Sequence, residues 1–228
     1  MDIEIWSDIA CPWCYVGKRR FEAALARFEH RDEVTVTWRS FELDPDAPRE
    51  REGDNAERLA QKYGMTVEEA RARQQQLVEV AAGEGLDFRF DIQRSGVTFD
   101  GHRLIHLAAE HGLQESMKER LMHAYFTEGA LVSDHAQLAA LAAEVGLPEP
   151  EVRATLESDR FAEAVREDEL TATRFGISAV PTFVVDRKLG ASGAQPAEQL
   201  LSLLRQGWAA REPVGVVTGG EACGPDGC

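Results

Sequence analysis

Two cysteines three positions apart, in Ala10-Cys11-Pro12-Trp13-Cys14-Tyr15, stand between a short alternating run, Ile3-Glu4-Ile5-Trp6, and a long helical pattern. A Cys-x-x-Cys pair at a strand-to-helix junction is an arrangement for reversible dithiol–disulfide chemistry. Unpaired N–H groups and the positive dipole end at the helix start favour a thiolate at Cys11. Pro12 fits the first helical turn, where a missing N–H costs nothing. Cys14, one turn further in, is placed to attack a mixed disulfide formed on Cys11. A zinc site would need a second ligand pair nearby, and the other cysteines, Cys223 and Cys228, lie at the far end of the chain.

The pattern on either side predicts how this junction is held. Residues 2–7 alternate like a strand, Val16, Phe21, Leu25 and Phe28 recur at helical spacing, and Val34, Val36 and Trp38 alternate again. This reads as β-α-β with a parallel crossover. Pro45 and Pro48 end the unit, and residues 54–175 then carry about five helices and almost no strand character. Thr66-Val67-Glu68-Glu69 is a capping box for a helix running to about Ala82. Asp100 is expected to cap the next, which carries Leu104, Ile105 and Leu107. Residues 114–128 form another, Ser133 or Asp134 starts a fourth, and a long helix follows Ser158-Asp159. After Pro181, Thr182 to Val185 and Leu189 to Ser192 read as a hairpin turning at Asp186-Arg187, and Pro196 opens a final helix.

Joined end to end, the elements predict an α/β, thioredoxin-like fold, β-α-β…β-β-α, interrupted by an all-helical insertion. Residues 1–45 and 177–210 are expected to form the redox domain, 46–176 the insertion domain, and 211–228 a flexible tail.

Among 228 residues, 40 are acidic and 25 basic, a net charge of -15. That balance argues against nucleic acid or an anionic membrane as partner, since both require a positive footprint. The start, Met1-Asp2-Ile3-Glu4, lacks the basic and apolar runs of a secretory signal, and no segment is apolar enough to cross a bilayer. A cytoplasmic location is expected, where close cysteine pairs are more often catalytic or metal-binding than structural.

Ile177-Ser178-Ala179-Val180-Pro181-Thr182-Phe183 supplies the facing half of the site. Proline tolerates a cis peptide bond, and such a bond turns the preceding backbone groups outward. Exposed backbone at Val180 suits pairing with an extended substrate segment. Together with Phe41-Glu42-Leu43-Asp44-Pro45 and Ser192-Gly193-Ala194-Gln195, these motifs resemble those of FrnE-like members of the DsbA family of disulfide oxidoreductases. The resemblance implies thiol–disulfide exchange or isomerisation on disulfide-containing or dithiol proteins. Cys11 would be the nucleophile and Cys14 the resolving thiol. It implies no tightly bound cofactor and no metal, with glutathione or a dithiol as redox partner. Trp13 stands where periplasmic DsbA has a histidine that stabilises the thiolate, which argues against a strongly oxidising pair. Trp13 itself offers substrate an apolar surface.

The last residues, Cys223-Gly224-Pro225-Asp226-Gly227-Cys228, join two thiols by strong turn chemistry. They are expected to serve as an accessory redox pair, as in FrnE-like proteins. Two other readings remain. One is a glutathione-dependent isomerase or transferase of the 2-hydroxychromene-2-carboxylate isomerase or kappa type, acting on a small molecule, although such proteins usually carry serine in place of Cys11. The other is a protein whose dithiols hold a soft metal. His102 and His106 lie one turn apart without an evident third ligand, and read as a polar helix face or a contact with the redox domain. Glu68-Glu69 and Asp168-Glu169 read as solvated, and Trp6, Trp38 and Phe183 as core. Oligomeric state is left open.

Overall fold

In the computed structural model, which describes residues 1–211, alternation along the first strand divides the molecule into two faces. Ile3 and Ile5 of β1 (Asp2–Ser7) enter the main core, while Trp6 joins a smaller cluster on the opposite face. β2 (Thr35–Ser40) lies parallel to β1 with Trp38 opposite Ile5. β3 (Thr182–Val185) runs antiparallel on the other side of β1, placing Phe183 opposite Ile5, and β4 (Leu189–Ser192) completes the order β2-β1-β3-β4. The crossover between β1 and β2 is α1 (Pro12–Ala26), whose Phe21 stacks on Phe183 with ring centroids 5.5 Å apart. α9 (Ala197–Ala209) packs beside α1, where Trp208 stacks on His30 and meets Phe28 edge-on.

Between β2 and β3 the chain is helical: α2 (Asn55–Tyr63), α3 (Val67–Gly83), α4 (Phe99–Glu110), α5 (Gln114–His123), α6 (His135–Val145), α7 (Glu149–Leu156) and α8 (Ala162–Arg174). α5 continues into a π-helical turn, Ala124–Glu128. Leu104, Leu121 and Phe126 from these helices share one continuous core with Ile5 and Phe183 of the sheet. Each such side chain stabilises the fold by roughly 1.5–3 kcal/mol through burial. No helix among the described residues is long and apolar enough to cross a membrane.

The predicted order of elements stands, with corrections inside the insertion. Seven α-helices occupy it rather than about five, the additions being α2 and α7. Thr66 forms the expected capping box with Glu69, and Asp134 caps α6 by accepting the Gln137 N–H at 2.9 Å. Asp100 does not cap α4. It lies within the first turn, where its carboxylate meets Arg103 and His135, each at 2.7 Å. α8 follows Ser158-Asp159, opening after Phe161, whose φ of 65° turns the chain.

Asp168 is not on a solvated face. It is buried, accepts the Ser40 N–H at 2.9 Å, and meets Arg39 and His106 at 3.1 Å each. Trp6 Nε1 donates to the Asp168 carbonyl at 2.8 Å, so α8 closes over the second face of the sheet.

Candidate active site

Cys11 is the last extended residue before α1, with φ -90° and ψ 111°, and Pro12 opens the helix behind it. Its carbonyl accepts the Cys14 N–H at 3.0 Å. The loop that delivers Cys11 from β1 is held by Asp8. One oxygen of this buried carboxylate accepts the Ala10 N–H at 3.2 Å and faces His102 Nε2 at 3.4 Å. The other accepts the Leu43 N–H at 2.8 Å, tying the loop to the segment after β2. Burial alone would raise the Asp8 pKa, but the His102 hydrogen bond and the two backbone N–H groups hold it below its ordinary value. Burial pushes the His102 pKa down, with the Asp8 contact opposing the fall.

The cis-proline loop faces this turn as expected. The Val180–Pro181 bond is cis, and the Cys11 thiol donates to the Val180 carbonyl at 3.6 Å. Gly17, one turn beyond Cys14, permits the close approach: a Cβ there would lie 2.8 Å from Pro181 Cγ. Gly101 does the same for α4, where a Cβ would lie 2.6 Å from Ile9.

Cys14 is fully buried, whereas Cys11 is 5% exposed and opens onto a cavity of about 810 Å3. Trp13 lies on the rim of that cavity with 44% of its surface exposed, so its indole is presented to solvent and not packed away. Beneath the pair lies Lys118 of α5, fully buried, donating to the Ser7 carbonyl at 3.1 Å with its ammonium 5.8 Å from the Trp38 ring. Burial pushes the Lys118 pKa down to about 8, against the pull of Cys14, Asp8 and Cys11.

The expectation of a thiolate at Cys11 needs correcting for the reduced dithiol. Its pKa is pushed well above the ordinary thiol value, first by the hydrogen bond with the Cys14 thiol, then by burial, with the Asp8 carboxylate adding to both. The Cys14 backbone N–H at the helix start works in the predicted direction, as does the buried Lys118 charge that Cys11 attracts. The helix terminus is outweighed because two thiols and a carboxylate share one desolvated turn.

Asp8 and Lys118 were not among the predicted site residues, and His102 appeared only as a surface or contact residue. In sequence Asp8 is a polar residue after a strand and Lys118 a lone lysine in a helical stretch, so neither carries a local chemical signature. His102 and His106 do contact the sheet unit, through Asp8 in one case and Ser40 and Asp168 in the other. Among the described residues no group of three or more His, Cys, Asp or Glu is placed to hold a metal ion. Cys223 and Cys228 lie outside the described residues.

Comparison with known proteins supports the same assignment. Residues 2–205 match the family model of the DSBA-like thioredoxin domain. The crystal structure of a probable DsbA oxidoreductase from Streptomyces coelicolor is 48% identical, covers 100% of this chain and 98% of its own, and superposes with a TM-score of 0.89. The Bacillus subtilis uncharacterized protein YwbO is 27% identical over 207 residues, covering 88% of this chain and 95% of that one. Cytosolic disulfide reductase DsbM from Pseudomonas aeruginosa, at 17% identity and a TM-score of 0.66 over 92% of this chain and 100% of that one, is alike in fold alone. A CxxC turn facing a cis-proline loop, on a sheet interrupted by helices and matched almost throughout by one family model, shows that this chain belongs to the DsbA-like thioredoxin domain family.

Proposed function

We propose that the protein is a thiol–disulfide oxidoreductase with isomerase activity, of the FrnE-like branch, acting on protein disulfides through Cys11 and Cys14. The observation that carries this is the inequality of the two thiols. Cys11 opens onto the cavity beside the Val180 carbonyl, while Cys14 is sealed beneath it. A substrate disulfide therefore meets Cys11 first, and Cys14 meets only what Cys11 has already bound.

Cys11, protonated in the resting dithiol, gives up its proton and attacks one substrate sulfur, forming a mixed disulfide while the other substrate sulfur leaves as a thiolate and takes a proton. Backbone at Val180 holds the substrate segment as an added strand. Cys14 then gives up its proton and attacks the Cys11 sulfur, releasing the second substrate thiolate. The substrate gains two electrons and two protons, and Cys11 and Cys14 become a disulfide. Lys118, the buried cation that Cys14 attracts, stabilises the Cys14 thiolate in this second step. Glutathione or a dithiol resets the pair, and the reverse sequence oxidises a substrate dithiol.

A scrambled, wrongly disulfide-bonded test protein in glutathione buffer provides the test. Intact protein is expected to restore its activity, and Cys11→Ser to abolish that effect. Equal recovery with and without Cys11, or none with the intact protein, overturns the reading.

A further inference from the structure

Exchange with an extended protein segment uses Cys11 and Val180 but leaves the adjoining cavity unexplained. It extends from Cys11 to the α2–α3 hairpin, and its volume of about 810 Å3 lies in the range of small-molecule sites. Leu59, Leu77, Val80, Phe90 and Phe126 make its walls largely apolar. Among the described lining residues the single charge is Arg73.

Arg73 is also unusual in having no hydrogen-bond or ion-pair partner among the described residues. Glu69, one turn before it, commits its carboxylate to the Thr66 cap. Neighbouring arginines are otherwise engaged: Arg71 meets Asp54 and Arg89 meets Asp91, each at 2.8 Å. In a chain of net charge -15, this exposed arginine, the one charged residue of an apolar lining and neighbour to a Glu69 already held by the Thr66 cap, is placed to receive an anion from outside.

We propose that this cavity binds a second substrate class, small aromatic disulfides bearing a carboxylate. The rings lie against the apolar walls, the carboxylate meets Arg73, and the disulfide reaches Cys11. The proposal rests on the exchange chemistry above. Cys11 thiolate bonds to one sulfur and the distal arenethiolate leaves with the electron pair. Cys14 then displaces the second arenethiolate, so two electrons pass to the substrate and the Cys11–Cys14 disulfide forms. A small-molecule thiol reductant returns the pair to the dithiol.

The test uses the full chain carrying Cys14→Ser, Cys223→Ser and Cys228→Ser, which leaves Cys11 as its one thiol. Its rate with anionic 5,5′-dithiobis(2-nitrobenzoate) is divided by its rate with neutral 2,2′-dithiodipyridine. Adding Arg73→Gln is expected to lower this ratio about fivefold, the size of a partly exposed charge contact. Arg73→Lys restores most of it, and high salt lowers it in the parent. Arg153→Gln, on a residue paired with Glu149 and outside the cavity lining, controls for net charge and should leave the ratio in place. A ratio insensitive to Arg73→Gln, or equally sensitive to Arg153→Gln, overturns the proposal while the exchange reading stands. A Cys11 that reacts with neither probe overturns the exchange reading and this proposal with it.

Discussion

An ammonium group buried beneath two thiols is destabilising unless its charge is used. Lys118 donates to the Ser7 carbonyl and, among the described residues, has no carboxylate in ion-pair contact. Its pKa falls from 10.5 to about 8 on folding. Between those values the unfolded chain holds the extra proton, so stability should rise with pH across that window and carry the full penalty below it. Lys118→Met fills similar space without charge. At pH 7 it is expected to raise stability by about 1–3 kcal/mol, to abolish the alkaline rise, and to slow Cys14-dependent release of a mixed disulfide. Thermal unfolding against pH, with rapid-quench detection of the mixed disulfide, measures all three. A variant less stable at pH 7 would assign Lys118 a purely structural role.

At the scale of elements, the segment between β2 and α2 is tied into the site through Leu43 and through its neighbour Glu42. The Glu42 side chain is fully buried; one oxygen meets Arg166 at 2.7 Å and the other has no partner among the described residues. Burial raises its pKa from 4.5 to about 7, with Arg166 opposing the rise. Here the folded chain binds more protons between those values, so the wild type loses stability as pH rises through that window. Glu42→Gln should flatten this fall in urea unfolding measured from pH 4.5 to 8. An unchanged slope would locate the titration elsewhere.

The same region shows why some elements were legible in the sequence and others were not. β1 and β2 are readable because they alternate large apolar side chains, β3 and β4 because an apolar run after Pro181 meets a polar turn at Asp186-Arg187, and α3 because Thr66 and Glu69 cap it locally. α2 escaped notice because its buried positions are only Ala56 and Ala60, too small to mark a helical period, although Asp54 and Gly64 do punctuate its ends. α7 carries no clear sequence signal because Pro148 and Pro150 interrupt the pattern, although Pro148 is its N-cap and Pro150 stands in its first turn. The dithiol and proline loop could be read because their chemistry is carried by residues adjacent in sequence. The Asp8–His102 contact joins residues 94 apart, and Lys118 reaches Ser7 across 111, so neither leaves a local trace.

Across the whole molecule, the helical insertion is a structural part of the redox site. α4 supplies His102, α5 supplies Lys118, and α8 clamps the second face of the sheet through Asp168. Asp168→Asn removes the charge facing Arg39 and His106 while keeping a comparable shape. It is expected to cost about 3–5 kcal/mol in denaturant unfolding, because an ion-paired buried network loses one member. A loss below about 1 kcal/mol would mean that packing around Trp6 holds α8 unaided.

The α2–α3 hairpin has a different standing. Ala56, Ala60 and Ala70 form a small cluster of their own with Leu59, Met65 and Val67, separate from the main core. Leu59 and Met65 also line the cavity beside Cys11. Leu59 and Met65 therefore shape the cavity wall from outside the main core, whereas Leu77, Val80 and Ala81 of α3 pack into or against that core. On the proposed function, the reacting thiols and the cavity wall around Leu59 and Met65 sit on different elements, so descendants of such a chain could change clientele while inheriting the same dithiol.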